Sequence, residues 1–325
     1  MNVYVVGAGA VGTYLGETLL ATGANVAYAP RHGGDAVPQR VDLAIVAVKS
    51  YDTAGAIETL RRAIGDGGET TIVTPQNGVG NEERLAAAFG ADRVVACALT
   101  VPLERDERGV VVPANRGGIA LAPVGNVAHN WLVAAFEATP VSVDVKSDYR
   151  SLKWSKLVLN AVANASCAIL GVLPERLMRL EHMFALEVRA IRETHAVMAA
   201  MGIAAIDLPR YPVRALHAAA RLPLPLARLA LARRIVGARG RKAPSLLLDL
   251  RDGENRTEVG VLNGAVVAAG SASGVATPVN AVFARVLGDI AHMPQLWAKY
   301  RERPAALLAE VAAEERRIAF GARPA

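Results

Sequence analysis

The chain has 325 residues, of which 52% are hydrophobic, and a net charge of +6 at neutral pH. This length fits two domains, and the hydrophobic content excludes a disordered or fibrous chain. The apolar stretch Leu157–Leu173 is too short and too polar for a membrane span, and the amino terminus lacks a secretory signal, so we expect a cytoplasmic protein with no membrane partner. Cys97 and Cys167 lack metal-site spacing, which predicts buried free thiols and no metal.

Short β-rich runs alternate with helix-length stretches in the first part of the chain. The runs are Asn2–Val6, Asn25–Ala29, Asp42–Val48, Thr70–Thr74, Arg93–Thr100 and Val141–Val145. This alternation predicts βαβ units around a mostly parallel, doubly wound sheet. After Asp148 the strands end, and helical apolar periodicity continues to Phe320. We predict an α/β fold with a Rossmann-type NADP(H)-binding domain over residues 1–147, followed by an all-α substrate and catalytic domain over residues 148–325.

A dinucleotide-binding motif follows the first predicted strand. It reads Gly7-Ala8-Gly9-Ala10-Val11-Gly12 and opens a predicted helix. Gly7 allows the tight turn, Gly9 lets a pyrophosphate approach the backbone, and Gly12 lets the helix pack against the strand. The free N–H groups at the helix start favour phosphates. We predict that all six residues of this glycine loop bind the cofactor.

The end of the second predicted strand discriminates between cofactors. NAD-binding domains usually place an acidic residue there, whereas this chain reads Ala27-Tyr-Ala-Pro-Arg31-His32. Arg31 can hold a 2′-phosphate as a charged fork. The sequence therefore favours NADP(H).

Three polar residues recur at every fourth position in an apolar stretch. Lys156, Asn160 and Asn164 have the spacing i, i+4 and i+8, so we predict that one helix face carries all three. Polar groups on an apolar face need partners, so these residues belong either to a satisfied structural network or to a ligand site.

Further segments carry a resemblance to a known family. They read Val46-Ala-Val-Lys49-Ser-Tyr51-Asp, Pro75-Gln-Asn77-Gly78-Val-Gly80, Leu152-Lys-Trp154-Ser-Lys156-Leu-Val-Leu-Asn160-Ala-Val-Ala-Asn164, Ser245-Leu-Leu-Leu-Asp249 and Arg256-Thr257-Glu258-Val-Gly260-Val-Leu-Asn263-Gly264. In order and spacing they resemble the ketopantoate reductases (2-dehydropantoate 2-reductases) over nearly the whole chain. Three features depart from the usual pattern of that family: Gly260 replaces its usual Asp, the stretch His32–Arg40 is short, and the arginine-rich insertion around Arg221–Lys242 resembles only one branch of it.

The resemblance implies catalytic roles for two residues. Lys156 would be the general acid that protonates the forming alkoxide, and its charge would stabilise that oxygen. Glu258 would face Lys156 across a cleft between the domains and contact substrate and cofactor. The alternative for Glu258 is a helix-start carboxylate that only matches the helix dipole.

The resemblance also implies roles in binding. Asn160 and Asn164 would hydrogen-bond the substrate, and Ser245 would hold its carboxylate. Asn77 would lie beside the nicotinamide ribose and the substrate, although Asn-Gly is also an ordinary turn signal. Lys49 follows the third parallel strand, at the sheet edge where α/β folds bind ligands, and we assign it to the cofactor.

The predicted function is NADPH-dependent reduction of 2-dehydropantoate to pantoate, a step towards pantothenate and coenzyme A, by a monomer or homodimer. The substrate would be a small anionic 2-keto acid. One alternative is the reduction of another 2-oxo acid or of an imine in a specialised pathway. The other is a non-catalytic NADP(H)-binding module, which would have no need of a proton donor.

The chain contains no acidic residue between Asp207 and Asp249, although it is rich in arginine there. Within this region, Arg221–Lys242 predicts an amphipathic helix whose apolar side is lined by Leu226, Leu229, Ala230 and Val236. The alternative is a basic rim that attracts an anionic substrate and cofactor. Because no aromatic platform accompanies the charge, we do not expect a nucleic-acid partner.

Overall fold

The computed structural model describes residues 1–30, 39–65, 68–115, 117–239 and 243–321. The chain divides into two compact units. The N-terminal unit comprises Met1–Lys156 and Ile206–Pro212, and the C-terminal unit comprises Leu157–Ala205 and Val213–Ala325. The predicted boundary between residues 147 and 148 stays a prediction.

The N-terminal unit is built, within the described residues, on a seven-stranded sheet and a two-stranded hairpin. The strands are β1 (Asn2–Val6), β2 (Asn25–Tyr28), β3 (Leu43–Val46), β4 (Thr71–Thr74), β5 (Val94–Leu99), β6 (Leu103–Arg105), β7 (Val111–Pro113), β8 (Gly118–Pro123) and β9 (Ser142–Val145). The sheet order is β2-β1-β3-β4-β5-β8-β9. Strands β1 to β5 are parallel, while β8 pairs antiparallel with β5 and parallel with β9.

The six predicted strands all form, within one residue at every end except that of β3, which stops two residues before the predicted Val48. Strand β8 and the hairpin β6–β7 were not predicted from the sequence. The α/β, Rossmann-type prediction is confirmed, with the refinement that two strands at one edge run against the rest.

Helices cover both faces of this sheet. They are α1 (Ala10–Leu20), α2 (Thr53–Ile64), α3 (Asn81–Phe89), α4 (Asn130–Glu137) and α5 (Tyr149–Ala161), whose last residues belong to the C-terminal unit. Alternate side chains of a strand point to opposite faces, so Val3 and Val5 join the core under α1 and α4, whereas Tyr4 and Val6 join the core under α2 and α3.

The C-terminal unit is helical throughout its described residues, as predicted. Its further helices are α6 (Ala165–Leu170), α7 (Pro174–Arg179), α8 (Glu181–Ala200), α9 (Val213–Arg221), α10 (Leu224–Arg239), α11 (Ser245–Arg251), α12 (Asn263–Ser273), α13 (Pro278–His292), α14 (Trp297–Tyr300) and α15 (Pro304–Gly321). Among the described residues, no helix combines the length and apolar character that crossing a bilayer requires.

The basic segment forms a helix, but its buried face differs from the prediction. Helix α10 covers most of the segment, and residues 240–242 lie outside the described residues. Ala227, Leu231 and Ile235, four residues apart, are buried, whereas Leu226 and Leu229 are 52% and 80% exposed. The segment contains leucines at two helical faces, and packing against α7, α8 and α9 selects the face that starts with the small Ala227.

Candidate functional site

The glycine loop joins β1 to α1 and uses its three glycines differently. Gly7 has a φ of +110°, and a Cβ there would lie 2.6 Å from the backbone nitrogen of Val48. A Cβ on Gly12 would collide with the carbonyl oxygen of Gly7. At Gly9 a Cβ would meet no atom within 4 Å among the described residues. Gly7 and Gly12 are therefore needed for packing, while Gly9 leaves open space above the backbone.

The start of α1 fits the pyrophosphate of a dinucleotide. Gly9 is the N-cap residue, so the N–H groups of Ala10, Val11 and Gly12 open the helix without a side-chain cap from that position. The first turn contains no acidic residue that would repel a phosphate. Open space, free helix-start N–H groups and the positive end of the helix dipole together suit a bound anion. Ala8 completes the loop, and Arg31 lies outside the described residues.

Lys49 and Asn77 lie at the same edge of the sheet as this loop. Strand β1 pairs with β2 on one side and β3 on the other, so the chain reverses its direction of winding there. Ligands of open α/β sheets bind at such a switch point, outside the carboxyl ends of the strands. Lys49 follows β3 and Asn77 follows β4, and both side chains are half-buried.

The turn that carries Asn77 is held by buried polar side chains. The carbonyl oxygen of Asn77 accepts hydrogen bonds from Ser50 Oγ at 3.0 Å and from Asn81 Nδ2 at 3.2 Å. Asn81 Oδ1 in turn accepts from Thr53 Oγ1 at 2.9 Å. Because buried polar groups are costly unless they are hydrogen-bonded, this satisfied network fixes the turn in one conformation.

Gln76 anchors the same turn to the end of β3. Its Nε2 donates to the carbonyl oxygen of Val48 at 3.0 Å and to Thr53 Oγ1 at 2.9 Å. Its Oε1 accepts from Thr74 Oγ1 at 3.1 Å. The chain segments that follow β3 and β4 are thereby linked side by side.

Helix α5 carries Lys156 and begins at a strong cap. Asp148 accepts hydrogen bonds from the backbone N–H groups of Arg150 and Ser151 at 3.0 and 3.1 Å, and from Ser151 Oγ at 2.5 Å. Burial raises the pKa of Asp148, but these hydrogen bonds outweigh it, so the pKa lies below its ordinary value. Lys156 is half-buried near the end of the N-terminal unit.

A second lysine on α5, Lys153, was not predicted as a site residue and is almost fully buried. Lys153 Nζ lies 2.9 Å from Glu82 Oε1, and it donates to the carbonyl oxygens of Gln76 at 2.6 Å and Cys97 at 3.4 Å. Burial raises the pKa of Glu82, and the Lys153 charge opposes that rise. Burial likewise raises the pKa of Cys97 to about 12, against the charges of Lys153 and Lys156.

The prediction that one helix face carries Lys156, Asn160 and Asn164 is wrong. Lys156 and Asn160 lie one turn apart on α5, but this helix ends at Ala161, and Asn164 is the N-cap residue of α6. Ala163 between them has a φ of +49°. The cause is Glu187 on α8, a buried carboxylate that accepts hydrogen bonds from Ala163 N at 2.7 Å and from Ser166 Oγ at 2.5 Å.

Asn164 and Ser245 contact each other within the C-terminal unit. Asn164 Nδ2 donates to the carbonyl oxygen of Asn160 at 2.9 Å and to Ser245 Oγ at 3.4 Å. Asn164 Oδ1 accepts from the backbone N–H of Leu246 at 3.2 Å. The buried Asn164 therefore fixes the start of α11, where Ser245 is exposed.

Glu258 begins a short 3-10 helix, Glu258–Val261, and is 5% exposed. Thr257 supplies the N-cap hydrogen bond, which its Oγ1 accepts from Val259 N at 3.2 Å. Behind this segment, Asn263 Nδ2 donates to Asn280 Oδ1 at 2.9 Å. Helices α12 and α13 both pack against the segment that carries Glu258.

The structure brings part of the predicted site together within each unit. The glycine loop, Lys49 and Asn77 share the sheet edge of the N-terminal unit, and Asn164 contacts Ser245 in the C-terminal unit. The predicted cleft between the domains stays a prediction. No local signal in the sequence marks Lys153 as buried, because its neighbours Ser151, Leu152, Trp154 and Ser155 are polar and apolar in equal number.

Comparison with known proteins identifies the same family in both parts of the chain. Residues 27–126 match the family described as Ketopantoate reductase PanE/ApbA, and residues 148–291 match Ketopantoate reductase PanE/ApbA C terminal. A 2-dehydropantoate 2-reductase of Halobacterium salinarum is 30% identical over 262 residues, which cover 78% of this chain and 76% of that protein. One from Caulobacter vibrioides is 29% identical over 252 residues, covering 77% and 78%.

Solved structures have the same fold. A PanE/ApbA family ketopantoate reductase from Ralstonia eutropha JMP134 superposes with a TM-score of 0.74 at 28% identity, covering 91% of this chain and all of that one. A D-mandelate dehydrogenase in complex with NADH superposes with a TM-score of 0.72 at 19% identity, covering 90% and 99%. The second likeness concerns the fold alone.

Proposed function

The chain belongs to the ketopantoate reductase family, and on this premise we propose that it uses NADPH to reduce 2-dehydropantoate to pantoate. The observation that carries the proposal is the half-buried Lys156, one turn from Asn160, in a unit whose glycine loop is built to accept a dinucleotide. A module that only binds a nucleotide has no need of such a proton donor.

The proposed chemistry gives each residue a separate role. The nicotinamide, when bound, supplies the hydride that the 2-keto carbon accepts. Lys156 holds a proton at Nζ and transfers it to the substrate oxygen, where its charge also stabilises the developing alkoxide. Asn160, Asn164 and Ser245 bind the substrate, with Ser245 at its carboxylate, and Asn164 also hydrogen-bonds Ser245. Glu258 completes the site as a contact to substrate and cofactor.

The proposed cofactor is NADPH rather than NADH. The chain at the end of β2 reads Tyr28-Ala-Pro-Arg31 and contains no carboxylate that would bind a ribose 2′-hydroxyl. Arg31 supplies a guanidinium for a 2′-phosphate. We expect Arg31→Ala to raise the KM for NADPH and leave the KM for NADH nearly unchanged; equal use of both cofactors by the unmodified protein would contradict the assignment.

The experiment that tests the function measures oxidation of NADPH with a panel of branched and unbranched 2-keto acids. We expect the highest kcat/KM with 2-dehydropantoate. A higher value with another 2-oxo acid would reassign the substrate but retain the reaction. Tight NADPH binding without turnover of any keto acid or imine would indicate a non-catalytic module.

A further inference from the structure

Lys153 is among the largest fully buried side chains of the N-terminal unit, with only 2% of its surface exposed. Its ammonium group lies near three oxygen atoms on three different segments: Gln76 O after β4, Cys97 O in β5 and Glu82 Oε1 in α3. A single side chain of α5 thus contacts the backbone after β4, the backbone of β5 and the first turn of α3.

A buried ion pair is weak evidence of a gain in stability. Removing two charges from water carries a large desolvation penalty, and hydrophobic residues of similar volume often replace such pairs without loss of stability. Apolar neighbours such as Leu152 and Leu157 show that α5 already has aliphatic side chains to bury here. The Lys153–Glu82 pair is therefore better explained by the positions that it imposes on the surrounding backbone than by a gain in stability.

We propose that Lys153 is a positioning residue that holds the Asn77 turn at a fixed place relative to the helix of Lys156. Lys153 and Lys156 are three residues apart, so they are neighbours on α5. The carbonyl that Lys153 binds belongs to the peptide bond between Gln76 and Asn77. The inference rests on the proposed reductase function, in which Lys156 donates the proton and Asn77 contacts nicotinamide and substrate.

The other side of Asn77 is held independently. Its own carbonyl is bound by Ser50 and Asn81, so Lys153 and these two residues fix the carbonyl groups on both sides of the Asn77 side chain. Losing Lys153 frees the carbonyl before Asn77, while the side chain of Gln76 and the contacts of Ser50 and Asn81 still hold the rest of the turn. We expect the turn then to remain folded but to sample positions displaced from the one that the reaction needs.

The test uses the charge-balanced double variant Lys153→Met/Glu82→Gln, which leaves no unpaired buried charge. The matched control is Lys146→Met/Asp144→Asn, which removes a partly exposed ion pair of 3.1 Å in the same unit. In the cofactor-free protein, we expect amide hydrogen exchange in the peptide spanning Pro75–Glu82 to become about tenfold faster in the double variant and to stay unchanged in the control.

Kinetics provide the second measurement. Small misplacements of reacting groups cost up to about 10²-fold in rate, so we expect kcat/KM for the keto acid to fall between about tenfold and 10²-fold. With NADPH deuterated at the transferred position of C4, the isotope effect on kcat should rise, because misaligned hydride transfer limits turnover. The dissociation constant of NADPH should change by less than about threefold, since the glycine loop is intact.

Each outcome decides the question. A lower melting temperature with normal exchange in the turn and normal kinetics means that the pair is only structural, and the proposal fails. If the unmodified protein reduces no keto acid, the proposed function fails, while the exchange data still decide whether Lys153 holds the turn. Should the double variant not fold, Lys153→Arg keeps the charge but displaces the donor, and it is expected to shift both measurements in the same direction.

Discussion

Gly9 and Gly12 lie three residues apart in the glycine loop, but an added methyl group meets different surroundings at the two positions. A Cβ on Gly12 would collide with the carbonyl oxygen of Gly7, whereas one on Gly9 would point into open space. Gly9 has a φ of −76°, which alanine adopts without strain. One position therefore serves packing, and the other leaves room for a ligand.

We expect Gly12→Ala to lower the free energy of unfolding by about 1–3 kcal/mol through overpacking. Gly9→Ala should cost about 0.5–1 kcal/mol of stability, because alanine is a poorer N-cap than glycine, yet weaken NADPH binding at least about tenfold, because the methyl group occupies the path of the pyrophosphate. Urea unfolding and fluorescence titration with NADPH measure the two effects. Unchanged NADPH affinity in Gly9→Ala would place the pyrophosphate elsewhere.

Lys156→Ala removes the proposed proton donor without touching the glycine loop. General acid catalysis contributes roughly 10²–10⁴-fold, so we expect kcat to fall by at least about 10²-fold while NADPH still binds. Lys146→Ala, which removes a lysine from β9's carboxyl end, is the control and should retain normal turnover. Near-normal turnover of Lys156→Ala would mean that another group donates the proton.

Single residues differed in how far the sequence could predict them. The glycine loop was predictable because its spacing and its place between a strand and a helix are local features. The buried Lys153–Glu82 pair was not, because neither residue shows in its own surroundings that the other lies 2.9 Å away. Charged residues are seldom fully buried, so the default expectation for Lys153 was an exposed position.

At the scale of elements, the cap of α5 makes a specific prediction about pH. Asp148 satisfies two backbone N–H groups at the start of the helix that carries Lys156. Its pKa in the folded protein lies below the ordinary value of 3.8. The stability that this carboxylate contributes is therefore present above that ordinary value, and it is lost as the pH falls through the lower, folded-state pKa.

We expect Asp148→Ala to lower the free energy of unfolding by about 1 kcal/mol at pH 7, a typical value for loss of an N-cap. The difference between Asp148→Ala and the unmodified protein should shrink as the pH is lowered below 3.8. Denaturant unfolding at pH 7 and pH 3 measures it. A difference that stays constant down to pH 3 would show that the cap does not depend on the charge.

The break between α5 and α6 shows why element ends were harder to predict than element types. The fourfold spacing of the polar residues fits one continuous helix, and nothing local to Ala163 interrupts it. The interruption comes from Glu187 on α8, whose buried carboxylate accepts the N–H of Ala163. A long-range hydrogen bond thus overrides the local pattern, and Asn164 becomes a cap residue that contacts Ser245.

In the whole molecule, the order of the α/β and helical halves was predictable, and so was a mostly parallel sheet. The reversed direction of β8 and β9 was not predictable. The apolar run of β8 resembles a buried strand, but its Gly and Ala residues have low strand propensity, and it was missed. Its antiparallel pairing with β5 depends on the path of the intervening hairpin. Strand direction is therefore a property of the connections.

Resistance of the whole protein to acid should depend on a pair of histidines in the C-terminal unit. The rings of His195 and His217 meet with centroids 4.0 Å apart, and among the described residues neither ring nitrogen of His195 has a hydrogen-bond partner. Burial, and next the facing His217, lower the pKa of His195 from 6.5 to about 3. Folding thus favours the neutral ring, and this stability is lost as the pH falls from 6.5 towards 3.

A pKa difference of one unit corresponds to about 1.4 kcal/mol. Lowering the pH from 8 to about 5.5, one unit below the ordinary pKa of 6.5, protonates His195 in the unfolded chain but not in the folded protein. The free energy of unfolding of the unmodified protein should therefore fall by about 1.4 kcal/mol through His195. In His195→Phe, the loss between pH 8 and pH 5.5 should be smaller by about the same amount. His292→Gln, at an exposed position, is the control. Equal losses in all three proteins would assign the acid sensitivity to other groups.

The N-terminal unit is discontinuous in sequence, and this affects how it can form during synthesis. Its last segment, Ile206–Pro212, is fastened by hydrogen bonds from Thr100 Oγ1 to Pro209 O and from Ile206 N to Ser155 Oγ, both 2.9 Å. Residues 157–205, which belong to the other unit, leave the ribosome before that segment. Chains are synthesised at about 5–20 residues per second, so the segment Ile206–Pro212 emerges several seconds after the rest of the N-terminal unit. During that interval Thr100 and Ser155 lack these hydrogen-bond partners.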